Sequence, residues 1–155
     1  MTTETAIFRI DGVSKNYGGV KALDGVTLEA GVNEYVSLLG PSGSGKTTLL
    51  RVIAGFEVPD VGRVVFQGRD ITGLPAHERG IGFVFQNFAL FPHLTVKKNV
   101  AFGIMNGGVT VPASEVDQRC QAMIDMVGLS GLEDRGVEQI SGGQRQRVAL
   151  ARTLV

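Results

Sequence analysis

Apolar and polar positions along the chain follow two rhythms, and their order sketches a set of strands and helices. Residues 6–13 and 23–29 mix apolar with polar positions in short runs and read as two strands, joined by a turn at Gly18 and Gly19. Residues 35–39 are mostly apolar and have the length of a buried strand. Residues 47–54 carry Leu49, Leu50, Val52 and Ile53, a helical pattern that Gly55 closes as a C-terminal cap. Pro59, Asp60, Val61 and Gly62 cluster as a turn, 63–67 reads as a strand, and Gly68, Arg69 and Asp70 read as a further turn. Residues 80–85 are apolar on both faces, as in a strand deep inside a parallel sheet. Thr95 is placed to cap a helix over 96–105, ended by Gly107 and Gly108. Ser114 and Asp117 resemble a capping box for a helix with Val116, Cys120, Met123, Ile124 and Val127 on one face and Gly128 after it. A last helix opens after Ser141 and shows periodic apolar positions at Val148, Ala151 and Val155. That helix is still periodic at the final residue, which predicts an incomplete domain.

Between the run at 35–39 and the helix at 47–54 stand Gly40, Pro41, Ser42, Gly43, Ser44, Gly45, Lys46, Thr47 and Thr48. They fit G-x-x-x-x-G-K-[ST], the phosphate-binding P-loop pattern, in its strand-loop-helix context. The chemistry explains the spacing. Glycines let the backbone turn tightly and approach an anion without Cβ clashes. Successive amides then form a nest for phosphate oxygens, and the following helix aims its positive end at the same anion. Lys46 is placed to reach the β- and γ-phosphates, and Thr47 to offer its hydroxyl to Mg²⁺ held partly through the nucleotide. A chance Gly/Ser-rich turn with a lysine competes with this reading, but leaves the flanking strand and helix unexplained.

Bulk properties narrow the classes. The chain has 155 residues, and its 15 basic residues balance 15 acidic ones, so no strong field favours nucleic acid. Cys120 is the single cysteine, which argues against a disulfide framework and for a small buried hydrophobe. No run reaches the roughly eighteen apolar residues of a membrane span, and the first five residues lack the pattern of a signal peptide. Three further features gain a second reading from the P-loop. Tyr17 is either a half-buried aromatic near a turn or a ring stacked on a purine base. Gln86 follows the run at 80–85, where ligands sit beyond strand ends in open α/β sheets. Ser141, Gly142, Gly143 and Gln144 open a helix, which is an ordinary N-cap or a second anion site.

Three spaced elements together resemble the ATP-binding subunit of ATP-binding cassette (ABC) transporters, over almost the whole chain from about residue 7. They are the P-loop at 40–48 as Walker A, Phe85 and Gln86 as the Q-loop, and Ile140 with Ser141, Gly142, Gly143 and Gln144 as the signature. Ile140 stands where leucine is more usual. The resemblance implies an α/β, ABC-type P-loop NTPase fold with an N-terminal antiparallel β-subdomain and a helical subdomain, incomplete at its C-terminus. Residues of about 1–35 and 57–80 would form the β-subdomain, 36–56 and 81–90 the P-loop core, 91–140 the helical subdomain and 141–155 the signature helix. Tyr17 would stack on adenine. Lys46 and the loop amides would hold ATP, Thr47 and Gln86 would serve Mg²⁺, and Gln86 with Lys46 would act in hydrolysis.

Partners follow from the same resemblance. Two cassettes would pair head to tail, with Ser141 and Gly143 on the γ-phosphate held by the opposite subunit. Residues 86–96 look like those of bacterial importers for polyamines, iron(III), sulfate, thiamine or sugars, and would face the permease; core packing is the plainer account of the same residues. A solute-binding protein would be an indirect partner, and the cytoplasmic face of the plasma membrane the place of work. Walker B with its acidic residues, the D-loop and the switch histidine are absent from the 155 residues, and His77 and His93 fall in earlier segments. Hydrolysis by these residues alone is therefore expected to be negligible. A non-transport ABC ATPase and a short non-catalytic nucleotide-binding regulator are the alternatives.

Overall fold

The chain divides into two units, Met1–Ile81 and Gly82–Val155. A computed structural model describes residues 6–105 and 111–155. In the first unit, β1 (Phe8–Tyr17) and β2 (Val20–Ala30) pair antiparallel, with Tyr17 opposite Val20. Gly18 and Gly19 both have positive φ, 52° and 88°, which suits a two-residue turn whose twist matches the strands. β3 (Val61–Phe66) pairs with the other edge of β1, and a two-residue β4 (Arg69–Asp70) closes the order β2-β1-β3-β4. Register shifts between Ile10 and Val13 explain why alternation alone describes β1 poorly. The irregularity lets two residues three apart both point inward, and both are fully buried. With Val64 and Leu23 they pack against Leu49 and Val52 of α1 (Lys46–Ala54).

The second unit is helical. α2 (Val96–Met105), α3 (Ala113–Met126) and α4 (Gly142–Leu154) pack around Val100, Cys120, Ile124, Leu129 and Val148. The expected face of α3 is the buried one, and burial raises the Cys120 thiol above its ordinary pKa. Thr95 accepts the Lys98 amide through its hydroxyl at 3.3 Å, as expected of its cap. Gly107 and Gly108 lie outside the described residues.

Four expectations are corrected. Residues 35–39 form no strand, and Tyr35 and Leu39 are 92% and 90% exposed. Residues 80–85 form no strand or bridge either, and Val84 is exposed. A strand exists only through its neighbours' hydrogen bonds, and neither segment pairs with the four-stranded sheet. Ser114 does not cap α3: the N-cap is Pro112 and Ser114 lies inside the first turn. Proline is well suited to a helix start because it has no amide to satisfy there. Arg69 and Asp70, read as a turn, instead form β4 after a turn at Gln67 and Gly68.

Candidate functional site

α1 begins where a side chain would normally cap it, yet Gly45 is the N-cap and no side chain accepts its first amides. No acidic residue stands in the first turn, so the positive end of the helix is not neutralised from within. Gly45 has φ 87°, and a Cβ there would lie 2.4 Å from the Ala22 carbonyl oxygen and 3.1 Å from Leu23 Cδ2. The loop is thus pressed directly onto β2. At the other end a Cβ on Gly40 would lie 2.8 Å from Ser44 Oγ. The turn closes through the Ser44 amide, which donates to the Pro41 carbonyl at 3.3 Å.

Lys46 turns its ammonium back over this loop. It donates to the carbonyls of Gly40 at 2.8 Å and Pro41 at 2.6 Å, and to Ser44 Oγ at 3.1 Å. All three protons go to neutral oxygens, so the positive charge of the ammonium stands unneutralised beside the loop. Thr47 and Ser42 are exposed, and Thr48 is half-buried. Glycine-bounded backbone, uncapped amides and an unneutralised ammonium are the donor set that a polyphosphate needs. Among the described residues no group of His, Cys, Asp or Glu is arranged to hold a metal. The neutral Thr47 hydroxyl suits an ion held mainly through a nucleotide's phosphates and its own waters. Tyr17 lies in the same unit, at the end of β1, and is 43% exposed.

One residue at the far end of α1 carried no signal in the sequence. Arg79 is 3% exposed, and its guanidinium is satisfied by backbone. It donates to four carbonyls: Leu74 at 2.7 Å, Val52 at 2.7 Å, Ile53 at 2.9 Å and Thr72 at 2.8 Å. Val52 and Ile53 belong to the last turn of α1, so Arg79 caps the end opposite the P-loop. Burial lowers its pKa, with Asp70 opposing, but an arginine stays charged under such a shift.

In the second unit, Gln86 is exposed at the start of a turn over 86–89. Phe88 and Ala89 follow with φ of 63° and 46°, a left-handed backbone that costs non-glycine residues about 1 kcal/mol or more each. Arg152 of α4 holds that backbone, donating to the Ala89 carbonyl at 2.8 Å and the Phe88 carbonyl at 3.1 Å. Its guanidinium carbon also lies 5.6 Å from the Phe91 ring centroid. Fully buried Asn99 fixes the next turn: its Oδ1 accepts the Phe91 amide at 2.9 Å and its Nδ2 donates to the Phe91, Leu94 and Thr95 carbonyls. Neither Arg152 nor Asn99 stood out in the sequence, because their partners are loop carbonyls that no motif marks.

At the start of α4, Ser141 Oγ accepts the Gln144 amide at 3.3 Å, and Gln144 Oε1 accepts the Ser141 amide at 2.7 Å. This reciprocal pair is a capping box. It commits the Gln144 side chain to the helix end and leaves Gly142 and Gly143 exposed beside it. Tyr17 and residues 40–48 therefore fall in the first unit, and Gln86 and residues 141–144 in the second.

A sheet-backed glycine loop opening a helix over a lysine defines a P-loop nucleotide-binding protein. The comparisons with known proteins make the class specific. The family model for ABC transporters matches residues 23–155, and the chain belongs to that family. It is 50% identical over 154 residues to the spermidine/putrescine import ATP-binding protein of Spiroplasma citri, covering 98% of this chain and 43% of that protein. It is 51% identical over 145 residues to the sulfate/thiosulfate import ATP-binding protein of Thermosynechococcus vestitus, covering 94% of this chain and 43% of that protein. The chain thus spans less than half the length of these curated relatives. Among solved structures it resembles an ATP-binding cassette of an ABC transporter with TM-score 0.86 and 33% identity, covering 97% of this chain and 65% of the other. A dimeric cassette in a post-hydrolysis state with ADP and Pi matches with TM-score 0.85 and 34% identity, covering 95% and 68%. No helix among the described residues is long and apolar enough to cross a membrane.

Proposed function

We propose that the chain carries the nucleotide-binding elements of an importer's ATP-binding subunit, which couples ATP binding and hydrolysis to uptake of a small charged solute. The observation that carries this reading is the cradle at residues 40–48, seated on β2 through Gly45 and opening α1 with its amides uncapped. The loop amides and Lys46 would hold the β- and γ-phosphates, Thr47 and Gln86 would serve Mg²⁺, and Tyr17 would stack on the base. Bound Mg²⁺ supplies charge neutralisation between the phosphates.

The remaining assignments rest on the relatives. The curated relatives are import proteins for a polyamine and for a sulfur oxyanion, both small charged solutes. A solved relative is dimeric, and pairing of two cassettes would bring Ser141 and Gly143 to a nucleotide held by the opposite subunit. A membrane permease would then be the partner of residues 86–96, at the cytoplasmic face of the membrane. The division into β-subdomain, P-loop core, helical subdomain and signature helix is part of the same proposal.

Isothermal titration with Mg-ATP tests the reading. Lys46→Ala is expected to weaken binding about 10- to 100-fold, the worth of one charge-assisted contact to phosphate. Equal affinity in the variant, or no binding by the unaltered chain, overturns the proposal. Steady-state turnover by these 155 residues is expected to be negligible, since they hold no acidic residue in a Walker B context to position water. Robust turnover would show that another group performs that step.

A further inference from the structure

The β1–β3 ladder ends at the pair Ser14–Val61. Beyond it β1 keeps β2 on one edge only, and an isolated two-stranded tip is marginally ordered in water. Tyr17 sits on that tip. Asp60, the residue before β3, takes over as its partner on the open edge. One carboxylate oxygen accepts the Asn16 backbone amide at 2.7 Å and Asn16 Nδ2 at 3.4 Å. The other accepts Lys15 Nζ at 3.3 Å, and the Asp60 amide donates to the Ser14 carbonyl at 2.9 Å. Lys15 is further fixed by the Val58 carbonyl at 2.7 Å. Three consecutive residues, 14 to 16, are therefore tied to the turn before β3.

The tie has a consequence for the next residue. The Lys15 ammonium, so held, lies 5.6 Å from the Tyr17 ring centroid, within cation–π range. The ring is braced by that contact yet remains 43% exposed. We propose that Asp60, with Lys15, is a positioning residue that fixes the Tyr17 ring for stacking on the base of a bound nucleotide. This rests on the reading of Tyr17 as a base platform. The Asp60 carboxyl is well suited to hold the tip. The Asn16 amide first, and then Lys15, keep its pKa below the ordinary value, so it is ionised throughout the physiological range.

A latch that acts only on the base platform makes a distinctive pattern. Mg-ATP and Mg-triphosphate, which has the phosphates without the base, are titrated into the chain and its variants. Tyr17→Ala is expected to weaken Mg-ATP about tenfold, the scale of one lost base stack, and to leave Mg-triphosphate unchanged. Asp60→Ala is expected to weaken Mg-ATP about fivefold, also without effect on Mg-triphosphate. Combining the two changes should add nothing to Tyr17→Ala alone. Lys15→Met, which keeps the length of this half-buried side chain and removes its charge, should reproduce the ATP-only loss if Asp60→Ala folds poorly. Equal weakening of both ligands by Asp60→Ala would mark general destabilisation and overturn the proposal. Loss with Tyr17→Ala but none with Asp60→Ala or Lys15→Met sinks the latch and spares the platform. No loss with Tyr17→Ala removes the platform, and the latch with it.

Discussion

Two glycine-bearing turns each open a helix in this molecule, and they are built on opposite principles. Before α1, Gly45 occupies a left-handed backbone position, and its absent Cβ is what lets the loop lie on the Ala22 carbonyl. At α4, Gly142 and Gly143 have ordinary helical backbone, and a Cβ on either would meet nothing within 4 Å. The first turn has no side-chain cap at all, whereas in the second the Gln144 amide is capped by Ser141 Oγ and the Ser141 amide by Gln144 Oε1. One turn uses side chains to complete its own helix, and the other leaves its helix open. Glycine at 45 is required by this chain's own packing. Glycine at 142 and 143 is not, so any constraint there comes from something outside the described contacts. Under the proposed pairing of two cassettes, approach of a second cassette's nucleotide would be such a constraint.

The contrast predicts that one substitution has unequal consequences at the two sites. Gly45→Ala forces a side chain into a left-handed position, at about 1–2 kcal/mol, and against a carbonyl that can yield only by moving β2, at about 1–3 kcal/mol more. We expect a loss of about 3 kcal/mol in denaturant unfolding and of nucleotide affinity by more than about a hundredfold. Gly143→Ala should leave stability within about 0.5 kcal/mol, because alanine is at least as good a helix former and the site is open. Its Mg-ATP affinity in the isolated chain should not change. A Gly143→Ala variant as unstable as Gly45→Ala would break the comparison.

The next largest effect separates a buried arginine from an exposed one in the same capping role. Arg79 serves four carbonyls, two of them at the end of α1, from a nearly solvent-free position. Arg147 serves the Val127 and Gly128 carbonyls at the end of α3, but from the surface. Arg79→Met strands buried acceptors and should cost about 3 kcal/mol, whereas Arg147→Met should cost about 0.5 kcal/mol, since water replaces its bonds. Thermal unfolding of the two variants checks the ratio. Equal losses would mean that the α1 carbonyls find other donors.

These two arginines also mark where the sequence was readable. Features set by near neighbours were legible: the P-loop, Gly55 as the end of α1, Thr95 before α2, the buried face of α3 and Ser141 before α4 all came from short-range pattern. Features set by distant partners were not. Arg79, Asn99 and Arg152 end on loop carbonyls, and a carbonyl leaves no trace in residue type. The runs at 35–39 and 80–85 had strand composition, but composition supplies no neighbour to bond to. Ser114 offered the right residue three positions before an acid, yet Pro112 starts the helix earlier. The candidate site divides in the same way. Lys46 and Ser141 were visible as motif members, while the Asp60 tie beneath Tyr17 spans 44 residues and was not.

Smaller still is the cap that distinguishes the second turn. Ser141→Ala removes the acceptor for the Gln144 amide and half of the capping box, worth about 1 kcal/mol. Hydrogen exchange should quicken at the first turn of α4. Mg-ATP affinity of the isolated chain should hold, because the proposed role of Ser141 lies toward a nucleotide on another subunit. Loss of affinity in the isolated chain would make Ser141 part of its own site and remove the distinction between the turns.

The smallest effect concerns how far a local charge is felt in each unit. Asp70 accepts the Thr72 hydroxyl at 2.6 Å and the Thr72 amide at 2.9 Å, and these bonds hold its pKa below the ordinary 3.8. The same hydroxyl oxygen accepts the Val64 amide of β3 at 2.8 Å, and the Thr72 carbonyl accepts from Arg79. Glu133 in the second unit is also held below its ordinary value, by its own amide, by the Gln121 side chain of α3 and by the Gly131 amide. For both acids the folded pKa lies under the unfolded one. Their stabilisation is therefore full above the unfolded value and is lost as the pH falls through the folded one. Amide shifts followed by NMR should show Val64, joined to Asp70 through the Thr72 hydroxyl, titrating with a midpoint below 3.8. Asp70→Asn should abolish that titration. The Glu133 titration should be read by the two groups that donate to its carboxylate, the Gly131 amide and the Gln121 side-chain amide. A Val64 shift that survives Asp70→Asn would show that the sheet does not read this carboxyl, and only the second unit would then couple an acid to a neighbouring element.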